Sequence, residues 1–185
     1  MCPKEIKEDK ELAIIETAIG MIRQGGYNSF SFRQIADAIG IKSSSVHYHF
    51  ATKEDLIVAV TQYYTKSFIE HLQDPSELLS RGDDPIAIYV SAFRNELVQD
   101  NGMCLCGVLG AEANELSGLI RDETRTFFNR NIEWLQKAYQ LKGVAQDLVY
   151  KKALQTISCL EGAMIICNVG NDLKLFDLST EHLLD

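Results

Sequence analysis

The densest chemistry in this 185-residue chain lies in Lys42-Ser43-Ser44-Ser45, one cation followed by three short hydroxyls. Such a row on an exposed helix start can lie in a DNA major groove and donate to base edges or phosphates. Buried, three consecutive serines would lower stability for no gain. His47 and His49 follow closely, but residues i and i+2 of a helix point about 200° apart, so they do not form a metal pair. A second reactive group is Met103-Cys104-Leu105-Cys106-Gly107. A thiol at a helix N-terminus has a stabilised thiolate and is reactive, and Cys104 follows the Asn101-Gly102 turn. The alternative is a pair of small core residues, which free cysteines commonly are. Zinc is not expected, because Cys-x-Cys lacks partners at ligand spacing.

Helices must position these groups. Residues 6–24 carry Leu12, Ile15, Ile19 and Ile22 three and four apart, and Gly25-Gly26 ends that helix. Ser31 with Gln34 is a capping box opening a helix over 32–39, whose Ile35, Ala36 and Ile39 share a face. Ala36 lets backbones approach, Gly40 tolerates a positive φ in the turn, Ile41 anchors that turn, and Val46 buries the next short helix, 42–50. Thr52 with Asp55 caps a helix over 53–73. A polar break from Asp74-Pro75 to Asp84-Pro85 has room for a short helix at 76–81. Helices follow at 86–99, 103–115, 118–141, 145–168 and 172–183, with stops at Asn101-Gly102, Gly143 and Gly170-Asn171. No run alternates as a strand would, so the chain is expected to be all-α, with about nine helices.

Hydrophobic residues make up 46% and charged residues 24%, which suits a globular chain. The formal net charge of −8 is unevenly placed: through Lys66 eight basic residues balance eight acidic ones, and the remainder holds 10 against 18. Net charge therefore excludes nothing about DNA. Five cysteines, an odd number, fit a reducing compartment. The N-terminus is charged and lacks the apolar run of a signal peptide, and no apolar stretch approaches 18 residues, so neither export nor a membrane span is expected and the location is read as cytoplasmic. A phosphate loop, GxSxG and HExxH are missing from the sequence, and Asp83-Asp84 and Asp122-Glu123 read as solvated charges. An enzyme and a cofactor are not expected. The rival classes are an α-helical enzyme and a protein-interaction bundle.

Residues 8–57 resemble the DNA-binding head of the tetracycline-repressor (TetR) family of regulators. The match runs through Gly26-Tyr27, Ser31, Arg33, Ile35-Ala36, Ala38-Ile39-Gly40-Ile41, Ser45, Tyr48-His49-Phe50 and Lys53-Glu54 to Leu56. The resemblance implies a helix-turn-helix domain over 1–51 and an effector-binding and dimerisation domain over 52–185. It also implies a repressor of transcription that a small effector releases from a double-stranded DNA operator. Residues 42–48 would form the recognition helix. DNA contacts would come from Ser31, Arg33, Lys42, Ser43, Ser44, Ser45, His47, Tyr48, His49 and Lys53. Lys53 also opens a helix, where the dipole attracts an anion. His47 stands where the family usually has Tyr.

A head of about 50 residues contacts few bases, so specific binding calls for two half-sites and a homodimer. Small and apolar residues Cys159, Gly162, Ala163, Ile166 and Cys167, with Leu173, Leu175, Phe176, Leu178 and Leu183, would let residues 145–183 form a four-helix interface. The alternative makes residues 145–168 the buried centre of one subunit. An effector would lie among 86–141, against Tyr89, Phe93, Met103, Phe128, Trp134 and Leu135. The cysteine pair with Gly110-Ala111-Glu112-Ala113 resembles a stretch of a TetR subgroup in which some members sense electrophiles or oxidants. Cys104 and Cys106 thus offer an alternative, redox trigger. The helix over 53–73 is expected to carry the signal to the head.

Overall fold

The computed structural model describes residues 3–100 and 102–184, so Cys2 and the expected stop at Asn101 lie outside the described residues. The elements are α1 (Pro3–Gly25), α2 (Phe32–Ala38), α3 (Ser43–His49), α4 (Lys53–Leu72), α5 (Pro75–Ser80), α6 (Pro85–Asp100), α7 (Leu105–Ala111), α8 (Gly118–Leu141), α9 (Gln146–Gly170) and α10 (Leu173–Thr180), closed by a 3₁₀ turn over Glu181–Leu183. No strand occurs among the described residues, and the fold is all-α with a helix-turn-helix near its N-terminus. α7 stops four residues before the expected 115. Gly107 and Gly110 weaken it, and the chain leaves it through tight turns such as Glu112 N–H to Leu109 O at 3.1 Å and Glu115 N–H to Glu112 O at 2.9 Å.

The chain divides into two compact units, residues through Thr65 with Leu105–Arg125, and Lys66–Cys104 with 126–185; the divisions fall inside α4 and α8. In the first unit both expected caps form. Ser31 Oγ accepts from Gln34 N–H at 3.3 Å while Ser31 N–H donates to Gln34 Oε1 at 2.8 Å. Asp55 N–H donates to Thr52 Oγ1 at 3.0 Å and Thr52 N–H to Asp55 Oδ2 at 2.9 Å. Gly40 takes φ 69° in the α2–α3 turn, and Ile41 N–H closes that turn on Ala36 O at 2.9 Å. Ile35, Ala36, Val46, Leu56 and Ile57 are buried beneath it. The buried stripe of α1 runs through Ile14, Ile15, Ala18 and Ile22, which leaves Leu12 exposed.

Residues 105–125 cluster with this unit. Leu105, Leu109 and Ile120 are buried there, and two polar contacts add to that packing: Tyr27 N–H donates to Glu112 Oε2 at 2.7 Å, and Gln62 Nε2 donates to Glu123 Oε1 at 2.8 Å.

The second unit packs α6, α9, α10 and most of α8 around Tyr89, Phe93, Phe127, Leu135, Leu160, Met164 and Phe176. Arg94 grips Asp177 with two bonds of 2.7 and 3.0 Å, and Trp134 Nε1 donates to Gln73 O at 2.7 Å. Lys137 pairs with Asp74 and Lys142 with Asp84. One expectation needs correcting: α9 is long and apolar enough, by length and composition, to cross a membrane. Its inner face (Val149, Ala153, Ile157, Leu160, Met164) is buried, while Leu154, Ile165, Ile166 and Val169 face solvent.

Candidate nucleic-acid interface and effector-binding unit

The helix-turn-helix presents a polar surface because its apolar residues point into the head. Lys42, Ser44, His47 and Tyr48 are exposed, Tyr48 at 72%, whereas Ser43 and Ser45 are half-buried. On α2 the Arg33 side chain is 86% exposed and only approaches Asp37, one turn on, at 3.9 Å. An exposed guanidinium with so weak a partner is available to a phosphate or a guanine edge. Ser31 is exposed, but its hydroxyl donates to Gln34 Oε1 at 2.9 Å inside the cap. His47 rests edge-on against Phe32, ring centres 4.7 Å apart.

Two of the expected contact residues make contacts within the chain. The His49 side chain is 4% exposed and turns inward, its Nδ1 3.3 Å from Glu11 Oε2. Its position three residues after Val46 puts it near the buried side of α3. Lys53 Nζ donates to Phe30 O at 3.0 Å and sits over the rings of Phe30 and Tyr27 at 4.4 and 5.0 Å. Burial lowers its pKa, and the Glu112 carboxylate works in the opposite direction. The half-buried ammonium is thus tied to the Phe30 carbonyl.

In the second unit the expected ligand residues are partly brought together. Tyr89 and Phe93 are fully buried, and Tyr89 stacks on Trp134 with ring centres 5.3 Å apart and planes 26° apart. Phe68 meets Tyr89, Phe93 and Phe127 at 6.3, 5.4 and 5.7 Å. Phe127 therefore takes the place given to Phe128, which is half-buried. Helical spacing explains the swap, since 127, 131 and 134 share the buried face of α8. Met103 is half-buried and Leu135 and Cys104 are buried; Cys106 is buried too, but in the first unit. The Tyr89 hydroxyl donates to Asn131 Oδ1 at 2.9 Å, and Asn131 Nδ2 donates to Phe127 O at 2.8 Å.

Glu161, on α9, escaped the sequence reading. Both its carboxylate oxygens are shut off from solvent, and neither has a hydrogen-bond partner among the described residues. Burial pushes its pKa up to about 7; the Cys104 thiol opposes that rise and Glu96 adds to it. The signal was a lone acid inside the otherwise uncharged run Ile157 to Cys167. Two open clefts also mark this unit. One of about 500 Å³ lies by Ile86, Tyr139, Lys142, Lys152 and His182, and one of about 410 Å³ by Leu97, Val98, Cys167 and Leu173. Neither is lined by the expected ligand residues. Among the described residues no group of three or more His, Cys, Asp or Glu is placed to hold a metal ion.

A capped two-helix motif with a polar outer helix, with no strand among the described residues, defines an all-α helix-turn-helix fold. Comparison with known proteins makes the assignment narrower. Residues 14–60 match the family described as bacterial regulatory proteins, tetR family. A crystal structure of a TetR transcriptional regulator from Legionella pneumophila is 31% identical, covers 92% of this chain and 93% of its own, and superposes with a TM-score of 0.85. A TetR-family regulator from Agrobacterium tumefaciens is 24% identical over 96% and 97% of the two chains, with a TM-score of 0.81. The fatty acid metabolism regulator protein of Bacillus subtilis is 22% identical over 174 residues, 93% of this chain and 89% of that protein. The chain belongs to the TetR family of transcriptional regulators and is a DNA-binding transcriptional regulator.

Proposed function

We propose that this regulator is a cytoplasmic repressor that sits on its operator as a homodimer and leaves it when a small effector binds within residues 52–185. The observation that carries the DNA half of this reading is the solvent-facing α3, with Lys42, Ser44, His47 and Tyr48 exposed and Arg33 beside it on α2. The dimer would form through residues 145–183, where Leu154, Ile165, Ile166, Val169 and Leu178 are exposed and the space above Gly162 is open. Of the small residues expected there, Ala163 and Cys167 pack inward, so Gly162 and Ile166 supply the contact. The aromatic cluster around Tyr89 supports an apolar effector site.

A cysteine trigger is less well supported. Cys104 and Cys106 are both buried, where a solution oxidant does not reach them directly. Gel-shift binding to the DNA upstream of the protein's own gene tests the main reading. Arg33→Ala should flatten the salt dependence by about one unit of slope, and Ser44→Ala should relax specificity by about 1–3 kcal/mol at affected base pairs. If both variants bind that DNA as the wild type does, the DNA face lies elsewhere.

A further inference from the structure

The second unit buries a carboxyl that its own groups leave without a cationic partner. Glu161 has both oxygens hidden from solvent and unpartnered among the described residues, a state that native proteins otherwise avoid for buried polar groups. No cation is among the groups that act on it. Glu96, from α6, brings a second negative charge, and the Cys104 thiol, a weak donor, favours the anion. The Tyr89 hydroxyl is committed to Asn131 at 2.9 Å, and the Asn131 amide to the Phe127 carbonyl at 2.8 Å. Arg94, Lys137 and Lys142 are committed to Asp177, Asp74 and Asp84. Tyr89, which feels the Glu161 charge, stacks on Trp134 and joins Phe93 and Phe68 in one ring cluster. Aromatic faces attract cations, most strongly where water is excluded. An apolar lining with a single orienting charge is the composition of a small-molecule site.

We propose that Glu161 is the charge-recognising residue of an effector site for an organic cation, an ammonium or amidinium group carried on an apolar body. The proposal rests on the reading of this unit as effector-binding and names the class of effector. A cation supplies the charge that the carboxylate lacks, and the neighbouring rings cover its apolar part. An anionic effector is disfavoured, because Glu96 and Glu161 carry its own sign.

Phenyltrimethylammonium and tert-butylbenzene share a shape and differ in charge, so they test the inference directly. Trp134, the single tryptophan, reports binding by its fluorescence. The wild type should bind the ammonium at least about tenfold more tightly than the hydrocarbon. Glu161→Gln keeps the shape and removes the charge, so it should erase that preference while remaining folded by circular dichroism. Equal binding of both compounds by the wild type, binding of neither, or an unchanged preference in Glu161→Gln overturns the proposal. Operator release is measured separately, by gel shift. Glu161-dependent binding without release removes the effector reading and leaves the site. Release by uncharged or anionic compounds, independent of Glu161, removes the cation site and leaves the regulator reading intact.

Discussion

At the scale of single residues, two charges behave unlike their neighbours on the surface. Burial holds the Glu161 carboxyl at about 7, above the 4.5 of a free glutamate. Between those values the folded chain keeps a proton that the unfolded chain has lost, so stability falls as pH rises from 4.5 to 7 and is then flat. The slope is at most about 1.4 kcal/mol per pH unit. Glu161→Gln should lose this dependence, so its advantage over the wild type grows from pH 5 to pH 7 in urea denaturation and then levels off. Parallel stability curves for the two proteins would show that the carboxyl titrates normally. Lys53 is the opposite case, a cation expected at phosphate but held on the Phe30 carbonyl at 3.0 Å. Lys53→Met keeps the aliphatic stem over Phe30 and Tyr27 and loses the bond. It should cost about 1–2 kcal/mol of stability and leave the salt slope of DNA binding unchanged. A slope reduced by about one, with stability intact, would return Lys53 to the DNA face. Both residues were hard to read from sequence for one reason. Burial depends on which side of a helix the rest of the chain covers, and a lone Glu or Lys does not state that.

At the scale of elements, the caps were fully legible. Ser31 with Gln34 and Thr52 with Asp55 are local patterns, each closing on itself within four residues, and both form as read. The place of α7 was not legible, because it is set by a contact between residues 85 apart, Tyr27 N–H to Glu112 Oε2 at 2.7 Å. Gly26 makes that contact possible. It holds φ 81°, and a Cβ there would stand 2.3 Å from Glu112 Oε1. Gly26→Ala should therefore destabilise the head by about 1–3 kcal/mol, through backbone strain and loss of the carboxylate's seat. Glu112→Ala leaves the Tyr27 N–H unpaired and should cost about 1–2 kcal/mol, whereas Glu112→Gln retains an acceptor and should cost less. Equal losses for the Ala and Gln variants in chemical denaturation would mean that the hydrogen bond does not secure α7. α7 thus lies in the same unit as the helix-turn-helix. Its helix begins one residue after Cys104, in the segment whose cysteines the sequence singled out.

At the scale of the whole molecule, the unfinished surface is the outer face of α9. A helix of 25 residues buries Ala153, Ile157, Leu160 and Met164 on one side and leaves Ile165, Ile166 and Val169 at 50, 54 and 84% exposure on the other. Exposed apolar residues concentrated on one helix face mark an interaction surface. The family to which the chain belongs binds DNA, and two recognition helices must reach successive major-groove faces about 34–36 Å apart. The homodimer proposed above would answer both requirements with a second copy seated on α9 and α10, since a two-fold interface buries the same stripe on each subunit. Gly162 permits the close approach, because a Cβ added there would meet nothing within 4 Å inside the subunit. Ile166→Glu places an unpaired carboxylate in that interface and should weaken association by about 3 kcal/mol, roughly a hundredfold. Because Ile166 is exposed in the single chain, the variant should fold normally by circular dichroism while sedimenting as a monomer at micromolar concentration. Its operator affinity should fall with the loss of the second half-site, although every residue of α2 and α3 is intact. A variant that remains dimeric would move the dimer contact off α9, and a wild type that sediments as a monomer would remove the homodimer itself.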